Sequence, residues 1–311
     1  MRDNKPCIGL ALSGGAARGI AHVGVLRALA EHNIRVDCVA GTSAGSLVGG
    51  ALASGMPLSD IENIGRTMRW RDIGRMTVSR LGVQSNERME EYLRQRLPVT
   101  RFEDLPMPFA AIATDLNSGD AVVMRDEGDV PFAIRASCAI PGWYVPVTDQ
   151  QGRQLVDGGL VAIIPSAAAR ALGADIVIAV DVNAEGAKFL GAPHSVFGII
   201  LQSMMVVQRT VSQQALQVAD LVISPRVGHI RWDEMGRGKE LLAAGYEAGL
   251  ESIEAIQQLI ASVGSATSDS DAGPKKWYQF RRRRSVELEG KLPPLASTRD
   301  FPVSRKCAKN I

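Results

Sequence analysis

The sequence is poor in the residues that staple small proteins together. It has four cysteines, Cys7, Cys38, Cys138 and Cys307. No two have C-x-x-C spacing and none sits beside a histidine pair. This argues against a zinc site or a disulfide framework and fits a reducing, cytoplasmic setting. Histidine is as scarce, with only His22, His32, His194 and His229. No uninterrupted apolar run reaches the roughly 18 residues of a bilayer-spanning helix. The apolar run CIGLAL leads into a glycine loop rather than a small-residue cleavage site, so it reads as a first strand and not as a signal peptide. There is no G-K-[ST] Walker ending and no calcium loop, and no metal or other cofactor is implied. Aromatics make up 5% of the chain and the net charge is only +2. Together these features exclude a disulfide-rich scaffold, a collagen or coiled-coil fibre and wholesale disorder.

A chain of 311 residues can bury a core without staples. Its charge is unevenly spread: residues 271–311 hold 11 Lys+Arg against 4 Asp+Glu, and the preceding residues hold 24 against 29. The body is mildly acidic and the tail basic. The tail lacks periodicity and is broken by prolines, so two regions are expected: a folded body over 1–263 and a mostly disordered tail over 264–311. The run Arg281–Arg284 beside Trp277, Tyr278 and Phe280 suits peripheral contact with an anionic membrane, while no specific nucleic acid is expected. A solvated tail without a partner is the plainer reading.

Along the body, short apolar runs alternate with segments of helical spacing. Strands are expected at CIGLAL, VDCVAGT, Gln154–Val156, Asp175–Val182 and Leu221–Ser224, and a hairpin at Phe109–Met124 around Asn117-Ser118-Gly119. Helices are expected after the first glycine loop, over SAGSLVGGALASGM, over Asn86–Arg96, Val130–Cys138, Pro165–Leu172 and Val196–Ala219, and from about Gly238 to Ser262. Repeated βαβ units imply a three-layer α/β/α architecture with a mostly parallel central sheet. The apolar stretch VFGIILQSMMVV (196–207) reads as a core or substrate-channel helix rather than a membrane anchor. Ile140, Trp143 and Tyr144 are further candidates for a channel or the core.

Three motifs carry chemistry. Gly41-Thr42-Ser43-Ala44-Gly45 is G-x-S-x-G between an expected strand and an expected helix, the context in which a serine stands on a tight elbow. The helix beyond it aims free N–H groups and its positive end at the reacting centre. Upstream, Ser13–Gly19 is a glycine loop that opens the first helix and can offer backbone N–H groups to an oxyanion. A nucleotide site fits it less well. Ala16 interrupts G-x-G-x-x-G, and Asp37 stands at the wrong end of the second strand. Arg18 stays protonated, so it can orient the loop or receive an anionic group but cannot act as a base. Third, Asp157-Gly158-Gly159 follows a short strand. Taken alone it is a turn; alongside Ser43 it supplies a candidate base. His194 and His229 follow Asp157 in the order a Ser-Asp-His triad needs, so dyad and triad both stay open, while His22 reads as a packed histidine.

The succession GGAARG (14–19), GTSAG (41–45) and DGG (157–159), with ASCAIPGWYVPV (136–147) between them, resembles the patatin-like phospholipase family over roughly residues 6–260. The resemblance implies an α/β/α fold and a Ser-Asp dyad without a catalytic histidine. Ser43 would be the nucleophile and Asp157 the general base. Backbone N–H groups of Gly14, Gly15 and Ala16 would form the oxyanion hole, Arg18 would match the family's basic position, and Gly41, Gly45, Gly158 and Gly159 would be the motif glycines. A lipid or ester substrate would be cleaved by phospholipase A, lysophospholipase or carboxylesterase chemistry. The other readings are an acyltransferase or thioesterase on the same serine, or a weakly catalytic lipid-binding regulator. Two departures stand out: Ala16 replaces a usual glycine, and Ala162-Ile163-Ile164-Pro165 follows DGG where a polar Asn is common.

Overall fold

The computed structural model describes residues 5–185 and 196–268 of the chain. The strands are β1 Ile8–Leu12, β2 Cys38–Thr42, β3 Arg75–Met76, β4 Gly82–Ser85, β5 Phe109–Asp115, β6 Ala121–Arg125, β7 Gly142–Tyr144, β8 Val147–Thr148, β9 Gln154–Asp157, β10 Ile176–Val180 and β11 Leu221–Ile223. The helices are α1 Ala21–Glu31, α2 Ala44–Ala53, α3 Leu58–Thr67, α4 Trp70–Ile73, α5 Glu87–Arg94, α6 Val130–Ser137, α7 Gly159–Ala162, α8 Ser166–Ala171, α9 Val196–Leu216 and α10 Gly238–Ser268. The expected elements are present to within a few residues at their ends. The glycine loop first forms a 3-10 turn over Ala16–Ile20 before α1 begins. Helix α10 continues to Ser268, past the boundary read at 263, and residues 269–311, most of the expected tail, lie outside the described residues.

The main sheet has the order β11-β10-β1-β2-β5-β9-β8, with β6 also on β5. Strands β11 to β5 are parallel, and β6, β9 and β8 are antiparallel additions. The sheet is therefore mixed, with a parallel centre. Strand alternation sorts the central residues onto two faces. Leu10, Leu12, Val39, Phe109, Ile176 and Ile178 face a large core built with α1, α2, α3, α5, α6 and α10. Ala11, Ala40, Ala110 and Ala179 point the other way, toward Ile164, Ala169 and Leu172 on the α8 side. The small residues on this second face let α8 lie close to the sheet.

One register detail brings Ser43 and Asp157 to the same place. Strand β6 occupies one edge of β5, from Ala110 to Thr114. On the other edge β2 runs parallel and ends with Thr42 opposite Ile112, while β9 runs antiparallel and ends with Asp157 opposite Ala113. Two strands thus meet head-on along one edge of β5, and both terminate at the same place. Ser43 and Asp157, far apart in the chain, are the residues at that junction.

Helix α9 corrects an expectation. Four of its apolar residues, Ile199, Ile200, Val206 and Val207, are exposed, and none of its described side chains lines the cavity described below. Among the described residues no helix is long and apolar enough to cross a membrane.

Candidate active site

Ser43 sits between β2 and α2 with φ 53° and ψ −124°. A non-glycine residue pays about 1–3 kcal/mol for such a conformation and keeps it only where the surroundings enforce it. Here the enforcement is visible. The Ser43 N–H donates to Ser137 Oγ at 2.8 Å, and that hydroxyl donates to the Ile112 carbonyl at 2.5 Å. The Ser43 carbonyl accepts from the Ser46 hydroxyl at 2.6 Å and the Ser46 N–H at 2.8 Å. The two motif glycines have no room for a side chain: a Cβ on Gly41 would strike the Gly45 carbonyl, and one on Gly45 the Leu12 carbonyl. The turn can be this tight only with hydrogen at both positions. Ser43 itself is 6% exposed.

Asp157 closes β9 and is equally buried, at 5%. Its N–H donates to the Ala139 carbonyl and its carbonyl accepts from the Thr114 hydroxyl, each at 2.9 Å. Its carboxylate accepts the Gly159 N–H at 2.7 Å. Burial pushes the Asp157 pKa up to about 6, against the pull of hydrogen bonds from the Ser43 hydroxyl and the Gly159 N–H. The carboxylate that touches the serine is therefore a stronger base than an ordinary aspartate. Behind D-G-G, where a polar Asn is common, the chain is held through its backbone: the Thr42 hydroxyl donates to the Ala162 carbonyl at 2.7 Å, and the Gly14 N–H to the Ile163 carbonyl at 3.0 Å.

That last bond divides the expected oxyanion loop. The Gly14 N–H is engaged, whereas the N–H groups of Gly15 and Ala16 have no acceptor among the described residues. Ala16 has φ +49°, so the alanine that replaces a usual glycine adopts the left-handed conformation at a cost of about 1–2 kcal/mol. Arg18 is 1% exposed and turns away from solvent. Its guanidinium donates to the Ile230 carbonyl at 2.6 Å and the Gly228 carbonyl at 3.2 Å. The Ala17 N–H donates to the Trp232 carbonyl at 2.9 Å. Arg18 thus ties the glycine loop to residues 228–232, a contact suited to orienting the loop.

The histidines divide as well. His22 is buried, its pKa lowered to about 4 by burial, and it bonds the Ser13 carbonyl at 2.8 Å. His229 faces solvent and pairs with Glu240 at 2.7 Å, not with Asp157. His194 lies outside the described residues.

Three contributors escaped the sequence reading. Ser137, within the ASCAIPG stretch, holds the backbone of Ser43. Cys138, beside it, has a thiol in contact with the Ser43 hydroxyl, its pKa raised by burial and by Asp157. Asn183 donates to the Gly14 carbonyl at 2.6 Å. It follows β10, whose end lies next to the glycine loop only because β10 pairs with β1.

From Ser43 an apolar cavity runs between α2, α3 and α5. Leu47, Met56, Met68, Met89, Ile140 and Tyr144 are among its lining residues. Of the channel candidates from the sequence, Ile140 and Tyr144 line it, and Trp143 does not.

The family model described as patatin-like phospholipase matches residues 10–170, which span the glycine loop, Ser43 and Asp157. An uncharacterized NTE family protein of Mycobacterium tuberculosis is 37% identical over 184 residues, covering 58% of this chain and 50% of that protein. A patatin-like phospholipase domain-containing protein of Caenorhabditis elegans is 40% identical over 187 residues, covering 57% of this chain and 14% of that protein. The chain thus spans about half or less of the length of these curated relatives. The crystal structure of VipD from Legionella pneumophila has the same fold, with a TM-score of 0.56 at 15% identity over 83% of this chain and 67% of that one.

Proposed function

The chain belongs to the patatin-like phospholipase family, and on that premise we propose that it is a serine acyl-ester hydrolase acting on lipid through a Ser43–Asp157 dyad. The observation that carries this reading is a buried carboxylate with a raised pKa touching a strained serine at a helix N-terminus. Asp157 takes the Ser43 proton as Oγ attacks the acyl carbonyl. The oxyanion accepts the N–H groups of Gly15 and Ala16, and that of Gly14 once it leaves the Ile163 carbonyl. Protonated Asp157 gives its proton to the departing alcohol, leaving an acyl-Ser43 ester. Water then gives a proton to Asp157 as it attacks that ester. The second intermediate collapses, the fatty acid leaves, and Ser43 regains its proton.

The apolar cavity favours a lipid acyl chain over a polar acyl group. The scarcity of paired cysteines favours a cytoplasmic setting, with Arg281–Arg284 as a peripheral contact for anionic membrane. The solvent-facing pairing of His229 with Glu240 favours the dyad over a triad through His229. On a soluble activated ester, Ser43→Ala and Asp157→Asn are each expected to lose at least about 10³-fold in kcat, and His229→Ala to keep wild-type turnover. Near wild-type turnover in either dyad variant overturns the assignment. Transfer of the acyl group to an added alcohol in preference to water would move the chain to the acyltransferase class.

A further inference from the structure

We propose that the β3–β4 hairpin is a bilayer-docking element that seats the apolar cavity on an anionic lipid surface. The inference rests on the lipid-hydrolase reading and adds the surface through which substrate arrives. The hairpin belongs to a separate three-stranded sheet, β3-β4-β7. Over Met76–Val83 four large apolar side chains face solvent: Met76 is 73% exposed, Val78 is completely exposed, Leu81 is 56% and Val83 is 44% exposed. A protein surface rarely gathers this many apolar groups on one short hairpin without a binding role.

Within the hairpin the charges have one sign, and the nearest acidic residues in the chain, Asp72 and Glu87, stand just outside it. Residues 73–86 contain Arg75 and Arg80 and no Asp or Glu. Neither arginine makes an ion pair with a described residue. Guanidinium groups beside apolar side chains suit the boundary between acyl chains and anionic head groups, where the arginine stem packs with lipid and its head meets phosphate.

The hairpin is continuous with the cavity. Strand β4 pairs with β7 through Gly82–Gly142 and Gln84–Tyr144. Tyr144 lines the cavity, as does Ile73, two residues before β3. A lipid drawn up beside the hairpin therefore meets the wall of the chamber that contains Ser43.

The test uses the full chain and vesicles of phosphatidylcholine with 30 mol % phosphatidylglycerol, a composition chosen as about one anionic lipid in three. It is repeated in a full chain carrying Arg281→Gln, Arg282→Gln, Arg283→Gln and Arg284→Gln, so that the basic tail cannot mask a loss. Val78→Asp with Leu81→Asp is expected to lower partitioning onto vesicles and hydrolysis of vesicle lipid at least about tenfold. Hydrolysis of a soluble short-chain ester and the thermal midpoint are expected to be unchanged. Arg75→Gln and Arg80→Gln are each expected to lower partitioning about fivefold. Unchanged partitioning in the Asp double variant overturns the proposal, as does a wild-type dimer that the same substitutions split into monomers, since the hairpin would then be a protein interface. A wild-type chain inert toward both substrates overturns the hydrolase reading instead, and partitioning still decides the hairpin.

Discussion

The strand junction on β5 and the segment from Met56 to Leu97 border the same cavity but are built on opposite terms. At the junction the residues are small, each polar group is held by named partners, and a Cβ on Gly41 or Gly45 would collide with backbone. In the second segment, α3 with the turns at its two ends, α4 and α5 contribute methionines and isoleucines: Met56, Ile61, Met68, Ile73 and Met89. The junction fixes the placement of Ser43 and Asp157 to within a hydrogen-bond length. The second segment fixes only volume and polarity, which many sequences satisfy. On the hydrolase reading proposed above, the reaction is constrained by identity and position, and the choice of acyl chain by bulk.

That contrast can be broken most strongly from the junction side. Asp157 has a folded-state pKa near 6, above the value of about 3.9 for an unfolded aspartate. The native state holds this proton more tightly than the unfolded chain, so ionising Asp157 costs stability. The cost is absent below about pH 4 and fully present above about pH 6, where two pKa units amount to about 3 kcal/mol. Asp157→Asn is expected to abolish turnover and yet raise the thermal midpoint at pH 8 relative to wild type. That advantage should vanish at pH 4. Equal midpoints at pH 8 would mean that the carboxylate is not desolvated.

A smaller effect is expected from the second segment. Leu47, which faces it from α2, lines the cavity beyond Ser43. Leu47→Trp should shorten the preferred acyl chain, cutting kcat/KM on long-chain esters about tenfold or more while leaving short-chain esters within about threefold. An equal loss on all lengths would mean that the added indole disturbs the elbow instead of filling the chamber. The smallest effect is expected at Ala16. Ala16→Gly removes left-handed strain but frees the unfolded backbone, two terms of about 1 kcal/mol and opposite sign. Stability should shift by less than about 1 kcal/mol, and turnover should fall slightly as the loop loosens.

The sequence made the junction legible because its chemistry admits few substitutes. Gly-x-Ser-x-Gly, the glycine loop and Asp-Gly-Gly are short, ordered and tied to a strand or a helix start. The parallel centre followed from alternating apolar runs and helical spacing. What did not follow was direction and pairing. Nothing in Gln-Leu-Val marks β9 as antiparallel, yet its direction is what turns Asp157 back toward Ser43. Asn183 carries no motif and acts only through the adjacency of β10 and β1. The segment from 56 to 86 mixes short amphipathic stretches with arginines, and its helix α3 and hairpin left no signal above that background. Helix α9 misled because an apolar run reads alike whether a neighbour covers it or solvent does.

The central claim is that a buried, weakly acidic Asp157 activates Ser43. The most direct test is the rate at which a fluorophosphonate modifies the protein as a function of pH, with the adduct located by mass spectrometry. The account predicts a single adduct on Ser43, formed at a rate that rises with pH through a midpoint near 6 and falls by orders of magnitude in Asp157→Asn. An adduct on another residue, or a rate on Ser43 that ignores both pH and Asp157, would contradict it.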